Sequence, residues 1–361
     1  MADRPTRPAI TTALLLAAAT LLAACGGDAP APGGAATGSP EGASPEGATV
    51  RAALLTQGPV SDAGWYAGAY EGLLMLRDSL GWDVRHQQTR TPAEFDEAFH
   101  SYGSQGYDVV FAHGNEYQDA AMRAGERFPD MTVVVSGGGR VAANVVPLIF
   151  RLEQGSYLAG MLAGGMTATG TVGMVGGVAI PPAEGTFLAF EAGALAANPD
   201  VTVLEAWIGS WDDVAAAKEA AVAQLRRGAD VVIHNTDGAS FAIFQAVREE
   251  RARGRSAWAL GMNRDQNDVA PDVILGSAVI RIPQAFLALA RAWQAGGVGG
   301  SPFHTGMDVG IVDLVVNPAL ADHIPQELLD RIDAARRAIL DGSLDVPRVQ
   351  FIEGEEGAPG P

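Results

Sequence analysis

The sequence predicts an α/β protein of two Rossmann-like lobes, each a parallel sheet covered by helices on both faces, joined by a hinge. Three observations predict it. From residue 49 onward, short and nearly continuous apolar runs rich in β-branched residues alternate with amphipathic stretches, as strands do when crossover helices bury both faces of their sheet. The rhythm then runs a second time, with Gly106-Tyr107-Asp108-Val109-Val110 echoed by Gly228-Ala229-Asp230-Val231-Val232. Polar clusters also follow the strands at matching places in the two halves, where open α/β sheets bind ligands beyond the carboxyl ends of their strands.

Taken in order, the chain begins with Arg4 and Arg7 ahead of an apolar run from Ala13 to Ala24. That run is shorter than the roughly 20 residues a spanning helix needs, and a basic start before a short apolar core is the pattern of a secretory signal. Leu22-Ala23-Ala24-Cys25 resembles the bacterial lipobox, whose cysteine takes a diacylglycerol and becomes the first residue after cleavage. Residues 1–24 are therefore expected to be a signal peptide and Cys25 the lipidation site. Residues 25–48, nearly all Gly, Ala, Pro, Ser and Glu after the cysteine, are expected to form a flexible tether. This places the protein on the extracytoplasmic face of the cell membrane. Cys25 is the only cysteine, so an intramolecular disulfide, a Cys-based zinc site and a cysteine-pair redox motif are excluded.

Without signal and tether about 310 residues remain, enough for two domains. Strands are expected at 49–55, 82–86, 108–112, 132–136 and 145–150, then at 171–176, 201–207, 230–234, 257–261 and 274–280. Helices are expected between them, notably at 66–79, 92–103, 118–127, 186–197, 213–227 and 241–253. The first lobe is expected to take residues 49–149 plus 278–305 and the second 150–277 plus 306–350, with 351–361 a disordered tail. The net charge of −18 argues against a nucleic-acid partner, which would require a basic face.

Candidate binding residues sit in the loops after the strands. Following the first strand, Gly58-Pro59 and Gly64 frame Asp62, Trp65 and Tyr66. Asp62 is placed either to cap the next helix or to accept hydrogen bonds from a ligand, and Trp65 either to pack or to serve as a stacking platform. The third strand runs into His113-Gly114-Asn115-Glu116-Tyr117-Gln118-Asp119, which offers Asn115, Tyr117 and Asp119. Its counterpart, His234-Asn235-Thr236-Asp237-Gly238, offers Asp237, and Gly261 to Asp268 offers Asn263 and Asp265. Trp211 either opposes Trp65 from the other lobe or is a surface hydrophobe. Ser136-Gly137-Gly138-Gly139-Arg140 lacks the spacing of a dinucleotide fingerprint and reads as a turn where the chain crosses between lobes.

No catalytic signature competes. The chain has no Gly-x-Ser-x-Gly elbow, no P-loop and no His-Glu-x-x-His, and its six histidines (86, 100, 113, 234, 304 and 323) lack metal-ligand spacing. Neither catalysis nor a cofactor or metal is expected.

Several segments resemble the basic membrane protein family. They are Gly58-Pro59 with Asp62-Ala63-Gly64-Trp65, Glu153-Gln154-Gly155-Ser156-Tyr157-Leu158-Ala159-Gly160 and Gly209-Ser210-Trp211-Asp212-Asp213. Val172 to Gly177, followed by Ile180-Pro181 and Phe190-Glu191-Ala192-Gly193, belongs with them. The likeness runs in family order from about residue 49 to 345, and the Glu153–Gly160 stretch is its most specific element. It implies a type I periplasmic-binding fold and a lipid-anchored, monomeric binding component of an ABC importer, partnered by a membrane permease. It also implies a purine nucleoside or base as ligand, stacked on Trp65 against Trp211 or Tyr117. Asp62, Asp119, Asp237, Asn263 and Asp265 would supply polar contacts, and hinge closure would occur near residues 149, 278 and 306. Tyr66 stands where many members have Asn.

Overall fold

The structure, a computed structural model, describes residues 49–62 and 64–352. The expected signal peptide, Cys25, the tether to Ala48 and residues 353–361 of the expected tail lie outside the described residues.

Two six-stranded sheets carry the fold. The first contains β1 (Arg51–Thr56), β2 (Asp83–Gln88), β3 (Val109–His113), β4 (Thr132–Ser136) and β5 (Val145–Phe150). A short edge strand, β11 (Phe303–Thr305), joins it, in the order β11-β5-β4-β3-β1-β2 with every pairing parallel. The second contains β6 (Thr171–Gly176), β7 (Thr202–Trp207), β8 (Val231–Asn235), β9 (Trp258–Asn263), β10 (Ile274–Ile280) and β12 (Val312–Val316). Its order, β12-β10-β9-β8-β6-β7, repeats that of the first, and only β12 runs antiparallel to its neighbour.

Helices α1 (Trp65–Leu80) and α8 (Ile282–Gln294) pack together on one face of the first sheet. Helices α2 (Pro92–Ser104) and α3 (Gln118–Arg127) cover the other. The second sheet lies between α4 (Leu152–Met166), α5 (Pro181–Ala197) and α9 (Gln326–Leu340) on one side and α6 (Val214–Arg226) and α7 (Ser240–Ala252) on the other. Strands covered on both faces are buried along nearly their whole length, as β3, β8, β9 and β10 are.

Local chemistry sets the element ends. Thr91 caps α2 by accepting from the Glu94 N–H, with Pro92 at the first helical position, and Asp213 caps α6 by accepting from Ala215 and Ala216. Helix α5 starts at Pro181, five residues before the expected Thr186, because proline's fixed φ suits a first turn. The Gly-x-Asp-Val-Val echo also has a structural cause. Gly106 and Gly228 turn the chain with positive φ, and the aspartate two residues on binds backbone N–H groups at the start of the neighbouring strand. Asp108 accepts from Arg51, and Asp230 from Ala168 and Thr169.

The Glu153–Gly160 motif lies in α4, which meets α5 at close range. A Cβ at Gly160 would stand 2.0 Å from the Phe190 carbonyl oxygen, and one at Gly193 would stand 1.9 Å from that of Tyr157. The backbones of α4 and α5 therefore touch through reciprocal glycines.

The chain passes between the sheets at Arg151, at Arg281 and between Thr305 and Val312. Hydrogen bonds knit these crossings together: Arg151 N–H donates to the Thr305 carbonyl at 2.8 Å, and Arg281 N–H to that of Ile311 at 2.7 Å. The expected return to the first lobe at residue 278 falls too early. Ala278 still pairs with Met262 and Leu314 inside the second sheet, so the return comes only after Ile280. The Ser136–Arg140 segment is not a crossing either; it joins β4 to β5 within the first sheet. No helix of the described residues is long and apolar enough to cross a membrane.

Candidate functional site

The loops at the carboxyl ends of both sheets enclose a cavity of about 570 Å³, within the range of small-molecule sites. The first lobe contributes Trp65 and Tyr66 from the start of α1, Asn115 and Glu116 after β3, and Gly137 after β4. The second contributes residues 180–183, Gly185 and Thr186 at the start of α5, Trp211, Asn235, Asp237 and Asn263.

Trp65 is fixed from beneath. Its indole stacks on the His113 imidazole with ring centroids 3.8 Å apart and meets Phe150 edge-on at 5.6 Å. His113 Nε2 lies 3.1 Å from the Trp65 carbonyl, which can only accept, so Nε2 carries the proton and Nδ1 accepts from the Ser136 hydroxyl at 2.8 Å. Burial pushes the His113 pKa down to about 3, which keeps the ring neutral. His234 lies inside β8, one residue before the position that matches His113, and so faces the α7 side of its sheet, where it bonds Gln266 at 2.8 Å; burial lowers it to about 4. Each histidine is thus held inside its own lobe, and the described residues contain no group of three or more His, Cys, Asp or Glu that could hold a metal.

Tyr66, 3% exposed, passes its ring over Gly58, where a Cβ would come within 2.3 Å of it. Asp237 of the other lobe stands close enough that its carboxyl and the Tyr66 hydroxyl act on each other's ionisation. Trp211 lies over Gly177, whose missing side chain leaves room for the indole, and its N–H donates to Glu116 Oε1 at 3.0 Å. A third link between lobes, Arg264 to Glu71 at 2.8 Å, lies near the second crossing.

Burial raises the Asp237 carboxyl well above the usual carboxylate range, and Asp62, Asp212 and Glu116 push it the same way. Glu153, which also lines the cavity, is raised by burial against the pull of Arg151 and Arg348.

Asn263 carries a second kind of signal. It is the one non-glycine of the described residues with positive φ, at 68°, a conformation that costs energy and clusters at functional sites. It is 6% exposed and lines the cavity, and its side-chain amide has no partner among the described residues. An amide that makes no hydrogen bond within its own protein and lines a cavity is free to bond a ligand there.

The structure does not bring all the predicted residues together. Trp65, Tyr66, Asn115, Trp211, Asp237 and Asn263 line the cavity. Asp62, Tyr117, Asp119 and Asp265 do not. Both oxygens of Asp62 accept backbone N–H groups, from Gly64, Tyr66 and Ala67, so it caps α1. Tyr117 points the other way, fully buried against Phe95 and Phe99 with its hydroxyl on Thr89. Asp119 pairs with Arg140 at the surface, and Asp265 accepts from the Asn267 N–H in a local turn. Sequence reasoning missed Glu116, Glu153, Thr186 and Arg348. Glu116 and Glu153 stood inside segments already singled out, whereas nothing in the sequence marked Arg348.

The family model for "ABC transporter substrate-binding protein PnrA-like" (Bmp) matches residues 49–343. The chain belongs to this family. Its members are solute-binding proteins of ABC transporters, and the two-lobed architecture agrees. Basic membrane protein A of Borreliella afzelii is 23% identical over 303 residues, 82% of this chain and 91% of its own. The transcriptional activator protein Med of Bacillus subtilis is 26% identical over 274 residues, 76% of this chain and 84% of its own. The crystal structure of an ABC transporter system solute-binding protein from Aeropyrum pernix K1 superposes with a TM-score of 0.73 at 20% identity. It covers 83% of this chain and 94% of that one, and so shows the fold.

Proposed function

We propose that this family member is a lipid-anchored extracytoplasmic protein that captures a purine nucleoside or base between its lobes and delivers it to an ABC permease. The observation that carries the ligand class is the Trp65 platform. An indole backed by His113, with Trp211 also in the cavity wall, suits a planar ring that loses water from both faces. The polar groups suit its edge: the Asn263 amide offers a donor and an acceptor, and Asp237, whose carboxyl burial raises well above the usual carboxylate range, also lines the cavity. Thermal denaturation against a panel of purine nucleosides, purine bases and hexoses tests this. Saturation at a hundredfold excess over Kd is worth about 2.7 kcal/mol, a rise of several degrees. A response to hexoses alone would remove the purine assignment.

Anchoring is tested separately. Cys25→Ala is expected to move the protein from the membrane fraction to the soluble one and to abolish incorporation of labelled fatty acid. Unchanged membrane association would remove the anchor.

Closure about the three crossings would bring Asp237 beneath Tyr66 and beside the other carboxylates. Its pKa is raised by burial in this closed arrangement, so the closed form binds a proton more tightly than an open one. Acid then favours the closed form, which loses ground as pH rises through and above the ordinary carboxylate range. Small-angle scattering of the unliganded protein is expected to show a radius of gyration that grows with pH, and Asp237→Asn is expected to flatten that curve. An identical pH response in the variant would exclude Asp237 as its source.

A second reading, a ligand-sensing lipoprotein without transport, is favoured by the match to a transcriptional activator. Deleting the gene separates the two: import predicts lost nucleoside uptake, and sensing predicts altered transcription with uptake intact.

A further inference from the structure

We propose that residues 346–352 form a clasp that closes the mouth of the cavity and governs ligand exchange. The segment follows α9 and starts on the second lobe, where Val346 is 3% exposed and Leu344 packs against the same core. It then runs across the cavity, and five consecutive residues, Arg348 to Ile352, line it. Val349 passes the first turns of α5, its backbone nitrogen 3.4 Å from where a Cβ of Gly185 would lie. Phe351 reaches the first lobe. Its carbonyl oxygen would stand 2.3 Å from a Cβ at Gly139, in the loop after β4, and its ring 3.3 Å away. The clasp therefore links the lobes once more, beside the three crossings and the side-chain contacts Trp211–Glu116 and Arg264–Glu71.

Unlike the crossings, it is held by packing. No hydrogen bond among the described residues ties residues 346–352 to the rest of the protein. A segment with partly buried apolar contacts and no backbone bonding opens at low free energy, so this link can lift while the crossings stay joined. Arg348 adds a directional element, because its charge acts on the Glu153 carboxyl in the cavity wall. Lobes joined at both the crossings and the Phe351–Gly139 seat cannot swing apart until that seat is released. Release of the clasp thus precedes exchange of whatever solute fills the cavity.

Gly139→Ala tests the seat directly. The φ of Gly139 is not in the left-handed region, so alanine is tolerated by the backbone there. The added methyl instead meets the Phe351 main chain, which cannot rotate away. Limited tryptic digestion of the full-length, unliganded protein is expected to cut after Arg348 about tenfold faster in Gly139→Ala, with sites inside the lobes unchanged. Phe351→Ala, which removes apolar packing without any clash, is expected to act in the same direction. Inosine dissociation by stopped flow is expected to speed up by a similar factor in both variants. Equal cleavage after Arg348 in wild type and both variants overturns the clasp, as does complete cleavage there in wild type at the first time point. Failure of wild type to bind inosine would remove the purine reading and leave the cleavage comparison to judge the clasp.

Discussion

Gly160→Ala is expected to lower the melting temperature by roughly 6–12 °C. The new methyl would stand 2.0 Å from the Phe190 carbonyl oxygen and 2.9 Å from the Ala194 nitrogen. Both are main-chain atoms of a helix in the core, so no rotamer change relieves the contact and α4 must move away from α5. Overpacking a core typically costs about 1–3 kcal/mol where side chains can yield. With backbone on both sides the cost belongs near 3 kcal/mol, and each kcal/mol is worth about 2–4 °C in a chain of this size. Gly193→Ala is expected to do the same from the other helix, against the Tyr157 carbonyl. Leu195→Ala, on the 40%-exposed side of α5, is the control and is expected to change stability by less than about 1 kcal/mol. Calorimetry decides: an unchanged melting temperature in Gly160→Ala would contradict the backbone contact.

That contact shows what kind of information the sequence carries plainly. Strand rhythm and the repeated Gly-x-Asp-Val-Val were readable because each depends on neighbours in sequence: buried strands are continuously apolar, and a glycine must turn the chain before the capping aspartate. The ten expected strands are β1 to β10, with bounds shifted by a residue or two. The edge strands β11 and β12 were not readable. Phe303–Thr305 is three residues long and pairs with β5 from over 150 residues away, so no local pattern announces it. The helix over 152–166 was hidden for a different reason. Its glycines at 155, 160, 164 and 165 weaken any helical propensity, yet they are what lets α4 pack against α5, β12 and Leu328 of α9.

The candidate site divides in the same way. Loops after strands were correctly located because topology fixes them at the carboxyl ends of the sheets. Which side chain of a loop enters the cavity depends on backbone direction, and that the sequence does not print. Tyr117 and Asn115 sit two residues apart on one short turn, and one turns into the core while the other turns into the cavity. Asp62 looks like a ligand group in sequence, but three backbone N–H groups at the start of α1 claim it first. Arg348 and Phe351 reach the cavity only because the chain doubles back after α9, a fact of tertiary structure alone.

Trp65→Ala is expected to weaken inosine binding by about 5- to 150-fold, the 1–3 kcal/mol that stacking a base on an aromatic ring contributes. The size of the loss depends on how well the indole is held before the ligand arrives. Here three groups hold it: the His113 ring beneath, the Phe150 edge, and the hydrogen bond from His113 Nε2 to the Trp65 main chain. A platform fixed in advance loses little side-chain entropy on binding, so the stacking energy reaches the measured affinity nearly whole. Trp65→Phe keeps a planar face and is expected to bind within about fivefold of wild type. His113→Ala leaves the indole in place but removes its support, and is expected to fall between the two. Because His113 is neutral, with a pKa near 3, none of these differences is expected to change between pH 6 and 8 through that residue. Calorimetric titration of the three variants, each first shown to melt cooperatively, supplies the comparison. Wild-type affinity in folded Trp65→Ala would mean that the ring bounds the cavity without stacking on the solute.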